Sequence, residues 1–173
     1  YVGRLIALKG LTELLRAWKQ FMTELEPSDV TLLIVGDGPE KEGLRDYCAE
    51  CGLDNVCFAG NVDYDALAPY YRCADAFLIP TLEDNWSLVV PEAMACGLPI
   101  LCSKYNGCWP ELVTPANGWV FDPLSPQDVV RVLREATSAQ AQLQSMGERS
   151  KEIVSTHTAR RAAQSIYEAS QLA

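Results

Sequence analysis

The sequence has one histidine, His157, and no apolar run near the ~20 residues that a membrane-spanning helix needs. It has no excess of basic charge either. Lys and Arg number 14 against 23 Asp and Glu, a formal net charge of -9. Nucleic-acid backbones call for clustered cations, so no nucleic-acid partner is expected. A small nucleotide is not excluded, because it needs only a few placed cations and backbone N–H groups. There is no G-x-G-x-x-G run, no internal repeat and no low-complexity linker.

The seven cysteines are an odd number, and a chain of this length buries roughly 70% of its unfolded surface without needing staples. They read as reduced and mostly buried, which suggests a cytoplasmic setting. Cys48 and Cys51 make a C-x-x-C with Cys57 close behind, yet structural zinc usually takes four ligands and His157 lies far along the chain. No metal site is expected. Cys48 and Cys51 fall on a helix ending at Gly52, and Cys57 falls in a strand.

Hydrophobic residues at 49% and charged residues at 21% suit a soluble globular domain, and 173 residues suit one of them, spanning 1–173. Strand-like and helix-like segments alternate along it. Residues 12–25 place Leu14, Leu15, Trp18, Phe21, Met22 and Leu25 on one helical face. Residues 30–35 read as a strand ended by the turn Gly36-Asp37-Gly38-Pro39. Helices are predicted over 41–50, 64–73 and 89–96, with strands over 56–62, 76–79, 98–103 and 118–121. Ser125-Pro126-Gln127-Asp128 offers a Ser N-cap with Pro at the first helical position. Helix follows to about residue 137, and two more helical stretches run to the end. Tyr1-Val2-Gly3-Arg4 reads as the end of a strand already under way, so the chain is expected to be a piece of something longer.

The alternation implies an α/β domain, a doubly wound parallel six-stranded Rossmann-like sheet in the order 3-2-1-4-5-6. Ligands on such sheets bind beyond the carboxyl ends of the strands, so the residues after each strand are the candidates. Gly3-Arg4 with Lys9-Gly10 suits a diphosphate at a helix start, or equally a pair of solvated cations. Gly36-Asp37-Gly38 and Gly60-Asn61 are turns first, with Gly60 and Asn61 also able to wall a base. In Glu83-Asp84-Asn85-Trp86-Ser87-Leu88-Val89-Val90-Pro91-Glu92, two carboxylates flank the first turn of a helix. Backbone N–H groups there can bind phosphate oxygens, and carboxylates suit sugar hydroxyls. A helix-dipole role for Glu92 and a loop cap for Asp84 explain the same residues.

Taken together, Gly3-Arg4…Lys9-Gly10, Gly36-Asp37-Gly38-Pro39, Gly60 and Leu88-Val89-Val90-Pro91-Glu92-Ala93-Met94-Ala95-Cys96-Gly97-Leu98-Pro99 resemble the C-terminal domain of glycosyltransferase family 4. That family has the GT-B fold, two Rossmann-like domains facing across a cleft. The resemblance implies that Arg4 and Lys9 grip the donor diphosphate, that Glu92 holds the nucleotide ribose, and that Asp84 stands where the family's first Glu contacts the transferred sugar. Gly3 and Gly36 belong to the donor loops, the N–H groups of Leu88 and Val89 meet phosphate, and Gly60 lies near the base. Two departures stand out. Asp84 is one methylene shorter than the usual Glu, with Glu83 beside it as an alternative, and Ser87 replaces a usual Gly.

The function so implied is retaining, metal-independent sugar transfer from a UDP-, GDP- or ADP-sugar, with no cofactor. The acceptor, a glycan, lipid or other hydroxyl, would be held by an N-terminal domain absent from the chain. Any peripheral contact with the inner face of a membrane would also be made by that half. The domain alone is expected to be inactive. The alternatives are a nucleotide-sugar epimerase-like enzyme on the same fold and a non-catalytic nucleotide-binding module.

Overall fold

The computed structural model describes residues 1–25 and 29–171. Five strands form in two parallel groups: β1 (Leu32–Val35) with β2 (Val56–Gly60), and β3 (Phe77–Ile79), β4 (Ile100–Ser103) and β5 (Gly118–Phe121) side by side. The predicted sixth strand is the opening segment. It reduces to one parallel bridge between Val2 and Val35, because the chain turns off at Gly3 after three ladder bonds. Those bonds run from the Tyr1 amine to the Leu33 carbonyl (2.9 Å), from Val35 N–H to Tyr1 (2.9 Å) and from Gly3 N–H to Val35 (3.0 Å). The resulting order, β2, β1 and then residues 1–3, matches the expected arrangement on that side.

Alternation along each strand sends side chains to two faces. On one face Leu32, Ile34, Leu78, Leu101 and Phe121 pack with α1 (Leu11–Leu25), α2 (Lys41–Cys51) and α5 (Pro126–Ser138). On the other, Val2, Val35, Phe77, Ile79, Ile100 and Cys102 pack with α3 (Ala68–Arg72), α4 (Val89–Ala95) and the inner side of α6 (Gln140–Ser155). Both core clusters draw on both strand groups, so the two groups act as one doubly wound layer. A last helix, α7 (Ala159–Ser170), follows.

Helix α1 forms because Leu11, Leu14, Leu15, Trp18 and Phe21 recur at helical spacing and are buried against α5. Leu25, predicted on that face, is 39% exposed at the helix end. Residues 64–73 split into a 3-10 turn, Tyr64–Ala66, and the short α3, where Pro69 sits in the first turn. The predicted strand over 56–62 ends at Gly60. Ser125 caps α5 as predicted, accepting from Asp128 N–H, and Gly52 ends α2 in the left-handed region.

The cysteines correct one expectation. All seven are free, but only Cys48, Cys102 and Cys108 are buried, while Cys57 and Cys73 are exposed. Cys57 is exposed because β2 is an edge strand whose half-buried and exposed residues alternate, with Cys57 on the outward side.

Every connection that leaves the carboxyl end of a strand therefore emerges at one rim: residues 4–10, 36–38, 60–61, 80–88, 104–108 and 122–125. One close approach there fixes the chain path. Gly36 has φ 137°, and an added Cβ would lie 1.9 Å from the Gly3 carbonyl oxygen. By contrast, Gly43 lies inside α2 with nothing near its missing Cβ. Gly43→Ala should stabilise the fold by about 0.5–1 kcal/mol, since the helix gains a better former. Gly36→Ala should destabilise it by more than about 2 kcal/mol through backbone collision and strain. Urea unfolding of both variants checks the pair, and equal midpoints would show that the rim backbone has slack.

Candidate functional site

The site begins where the first rim loop meets the loop after β3. A 3-10 turn, Ala7–Lys9, ends at Gly10, whose missing Cβ would lie 2.2 Å from the Pro80 carbonyl oxygen. The Leu8 carbonyl accepts twice across this seam, from Leu82 N–H at 2.8 Å and from the Thr81 hydroxyl at 3.0 Å. Thr81 is fully buried, and its one hydroxyl proton is shared between the Leu8 carbonyl and the Glu83 carbonyl, also at 3.0 Å. This clamp brings Lys9, at the end of its turn, onto Asp84, and the two form an ion pair through Asp84 Oδ2.

Asp84 is held from three further sides. The Ser87 hydroxyl donates to Oδ2 at 2.6 Å and the Trp86 N–H to Oδ1 at 3.1 Å. Its backbone bridges to the loop after β4: Asp84 N–H donates to Tyr105 at 3.3 Å, and Gly107 N–H donates to Asp84 at 2.8 Å. Gly107 is needed there, since a Cβ would lie 1.8 Å from the Asn85 carbonyl oxygen. Partial burial pushes the Asp84 carboxyl up, but the bonds from Lys9, Ser87 and Trp86 and the Lys9 charge outweigh it. The net shift is downward. Behind Ser87 stands Asn106, 1% exposed, whose amide donates to the Ser87 hydroxyl at 2.8 Å and accepts from Cys108 N–H at 3.0 Å.

The second acid, Glu92, lies in the first turn of α4 and accepts a bond from the Tyr71 hydroxyl of α3 at 2.9 Å. Burial, followed by that bond and the Glu92 charge, pushes the Tyr71 phenol well up, so it stays a donor at neutral pH. At the α4 start, Val90 N–H closes a turn on Ser87, whereas Leu88 and Val89 N–H have no acceptor among the described residues. The Leu88 side chain is 68% exposed and Val89 half-buried.

The remaining candidates are spread along the rim. Gly3, Gly36 and Gly60 are stitched together by backbone: Gly36 N–H donates to Gly60 at 2.8 Å, and Gly36 abuts the Gly3 carbonyl. Asn61 follows, exposed. Arg4 is exposed, its carbonyl held by the Tyr1 hydroxyl at 2.9 Å; no hydrogen bond or ion pair joins its guanidinium to Lys9 or Asp84. Glu83 is exposed and its carboxylate does not enter the Lys9 pair.

Three residues that position this site were not singled out in the sequence: Thr81, Tyr71 and Asn106. Asn106-Gly107 directly after a strand is a turn signal that points to its loop. Nothing in the residues around Thr81 or Tyr71 marks them.

The Asp84 interactions predict a pH dependence with a definite sign. A carboxyl held below its ordinary value of 3.8 contributes stability that is present above that value and lost as pH falls through the folded-state value. The unaltered chain should therefore unfold at higher urea than Asp84→Asn near neutral pH, with the gap closing once the solution is acidified below 3.8. A gap independent of pH would show that the carboxylate charge contributes nothing.

Comparison with known proteins identifies the fold and the family. An uncharacterized glycosyltransferase of Methanocaldococcus jannaschii is 34% identical over 131 residues, covering 75% of this chain and 33% of that protein. The chain thus spans about a third of the length of such curated relatives. HepE of Anabaena, solved with UDP, superposes with a TM-score of 0.82 at 23% identity over 99% of this chain and 48% of its own. The C-terminal domain of a glycosyl transferase group 1 family protein of Francisella tularensis gives 0.77 at 23% identity, over 90% of this chain and 83% of its own. At such identity these likenesses establish the fold, a GT-B-type Rossmann-like domain. The family model for glycosyl transferases group 1 matches residues 1–153, and the chain belongs to that family.

Proposed function

We propose that the chain is the C-terminal, donor-binding half of a family 4 enzyme that transfers a sugar from a nucleoside diphosphate to an acceptor hydroxyl. The observation that carries this reading is the pairing of Lys9 with Asp84 across two rim loops, beside the N–H groups of Leu88 and Val89, which have no acceptor among the described residues. The relative HepE, solved with UDP and with UDP-glucose, supports a nucleotide-sugar donor. Family membership favours transfer over epimerisation.

Each group has a task on this reading. The Lys9 ammonium has three protons, and one is committed to Asp84. The others, with Arg4 and the Leu88 and Val89 N–H groups, neutralise the charge that grows on the leaving diphosphate. That cationic set does the work a divalent ion does elsewhere, so transfer needs no metal. Glu92 has one oxygen on Tyr71 and the other open to ribose hydroxyls. Asp84 retains acceptor capacity on Oδ1, directed to the transferred sugar. Gly60 and Asn61 border the base, which is uracil, guanine or adenine.

The acceptor glycan, lipid or other hydroxyl belongs to the other half of the protein, and this half alone binds donor without turning it over. Resemblance to family 4 carries the retaining outcome, which the product's anomeric configuration in the full-length protein tests directly.

For binding, calorimetry of the chain against UDP, GDP and ADP with chelator present should find one nucleoside diphosphate that binds. Lys9→Met and Arg4→Met should each weaken it roughly tenfold or more, the worth of one charge-assisted bond. Binding abolished by chelator would overturn the metal-free mechanism. Binding insensitive to both substitutions would overturn the site.

A further inference from the structure

The residues around Asp84 form a chain of donors that ends in a buried side chain the transfer reading does not use. The Asn106 amide donates to the Ser87 hydroxyl, and the Ser87 hydroxyl has one proton to give, which goes to Asp84 Oδ2. The Asn106 amide itself cannot flip without loss, because its oxygen accepts Cys108 N–H. Its backbone is fixed as well, with Asn106 N–H bound to Ser103 at 3.1 Å. Each donor in such a series polarises the next, so the bond reaching the carboxylate is stronger than an isolated hydroxyl would give.

We propose that Asn106 is a positioning residue that, through the Ser87 hydroxyl, holds the Asp84 carboxylate turned towards Lys9. The relay depends on Ser87, the position where this chain departs from the glycine of the family it resembles. It also answers the shorter reach of Asp84. An aspartate at this place has fewer side-chain torsions than a glutamate, and with Oδ2 fixed by Lys9 and Ser87 it keeps one orientation. The backbone of Asn106 pairs with Asp84 in a parallel bridge, but its side-chain amide bonds only to the Ser87 hydroxyl and the Cys108 N–H among the described residues, so the amide's influence on the carboxylate passes through Ser87.

The Asp84 carboxyl reports the relay directly. Besides Lys9, the Tyr1 phenol and the Cys108 thiol interact with it. Burial pushes both up, Cys108 to about 11, so neither changes charge in the acid range where Asp84 titrates.

The test is carbon-13 NMR of the chain with carboxyl-labelled aspartate, the Asp84 signal being assigned by its loss in Asp84→Asn. Ser87→Ala and Asn106→Ala should each raise the Asp84 midpoint towards its ordinary value. In the double variant, Asn106→Ala should add nothing to Ser87→Ala, the signature of two residues acting in series. An Asn106→Ala shift of equal size in both backgrounds overturns the relay. So does an unmoved midpoint accompanied by a lower unfolding midpoint, which would make Asn106 a packing residue only. If Asn106→Ala does not fold, Ser87→Ala still decides, because an unchanged Asp84 titration there removes the link the relay needs.

A second arm rests on the donor-site reading. Among UDP-, GDP- and ADP-glucose, the one that binds the unaltered chain should bind Ser87→Ala and Asn106→Ala roughly three- to tenfold more weakly, the worth of one hydrogen bond. If none binds the unaltered chain, the donor reading fails while the Asp84 titration still settles the relay.

Discussion

The carbonyl of Leu8 is where the domain's two strand groups are tied together at the functional rim. It accepts from Leu82 N–H and from the buried Thr81 hydroxyl, and so joins the loop that follows the first segment to the loop that follows β3. No strand of one group pairs with a strand of the other among the described residues. Below the rim the groups are joined by shared apolar packing, which has no direction; at the rim they are joined by these bonds, which do. Without that seam, Lys9 and Asp84 would sit on separate walls with nothing to set their distance. With it, an ion pair forms between groups 75 positions apart in sequence.

That placement answers an electrostatic problem. A chain with a net charge of -9 repels a diphosphate at long range, although salt screens such repulsion beyond about 8–10 Å. On the proposed donor reading, capture must therefore rely on local groups. Lys9 supplies local positive charge, and pairing with Asp84 keeps its long, flexible stem from sampling other positions. The pair is only part-buried, which limits both its desolvation penalty and its contribution to stability. It organises the site more than it stabilises the fold.

The fold was largely legible because its signals are periodic or stereochemical. The α1 face, the Ser125 cap and the glycine end of α2 each rest on one local rule, and local rules survive tertiary context. The shortened first strand and the split of residues 64–73 were not legible, since both depend on how long neighbouring backbone stays in register. The candidate site was legible as a set of charged residues, whose chemistry shows in any context. Which of them meet was not. Lys9 was assigned to phosphate and Asp84 to sugar, and only the seam at Leu8 shows that the two groups touch. Asn106 lay hidden for the same reason: an asparagine after a strand announces a turn, and nothing local says that its amide points inward.

The distribution of buried polar residues links these points. Among the described residues six are buried: Thr81, Ser87, Ser103, Asn106, Asn117 and Ser150. The first four lie in β4 or in the loops after β3 and β4, and the last two bond to each other at 3.3 Å beneath α6. Each buried side-chain polar atom among the described residues has a partner. Apolar packing tolerates small shifts, whereas a buried hydroxyl or amide that loses its partner costs about 1–3 kcal/mol. Concentrating such groups under one rim gives those loops few alternative conformations, while the remaining core stays almost wholly apolar. The loops that carry Asp84 and the start of α4 are thus fixed from beneath by Thr81, Ser87 and Asn106, and their charged faces are left open for a ligand.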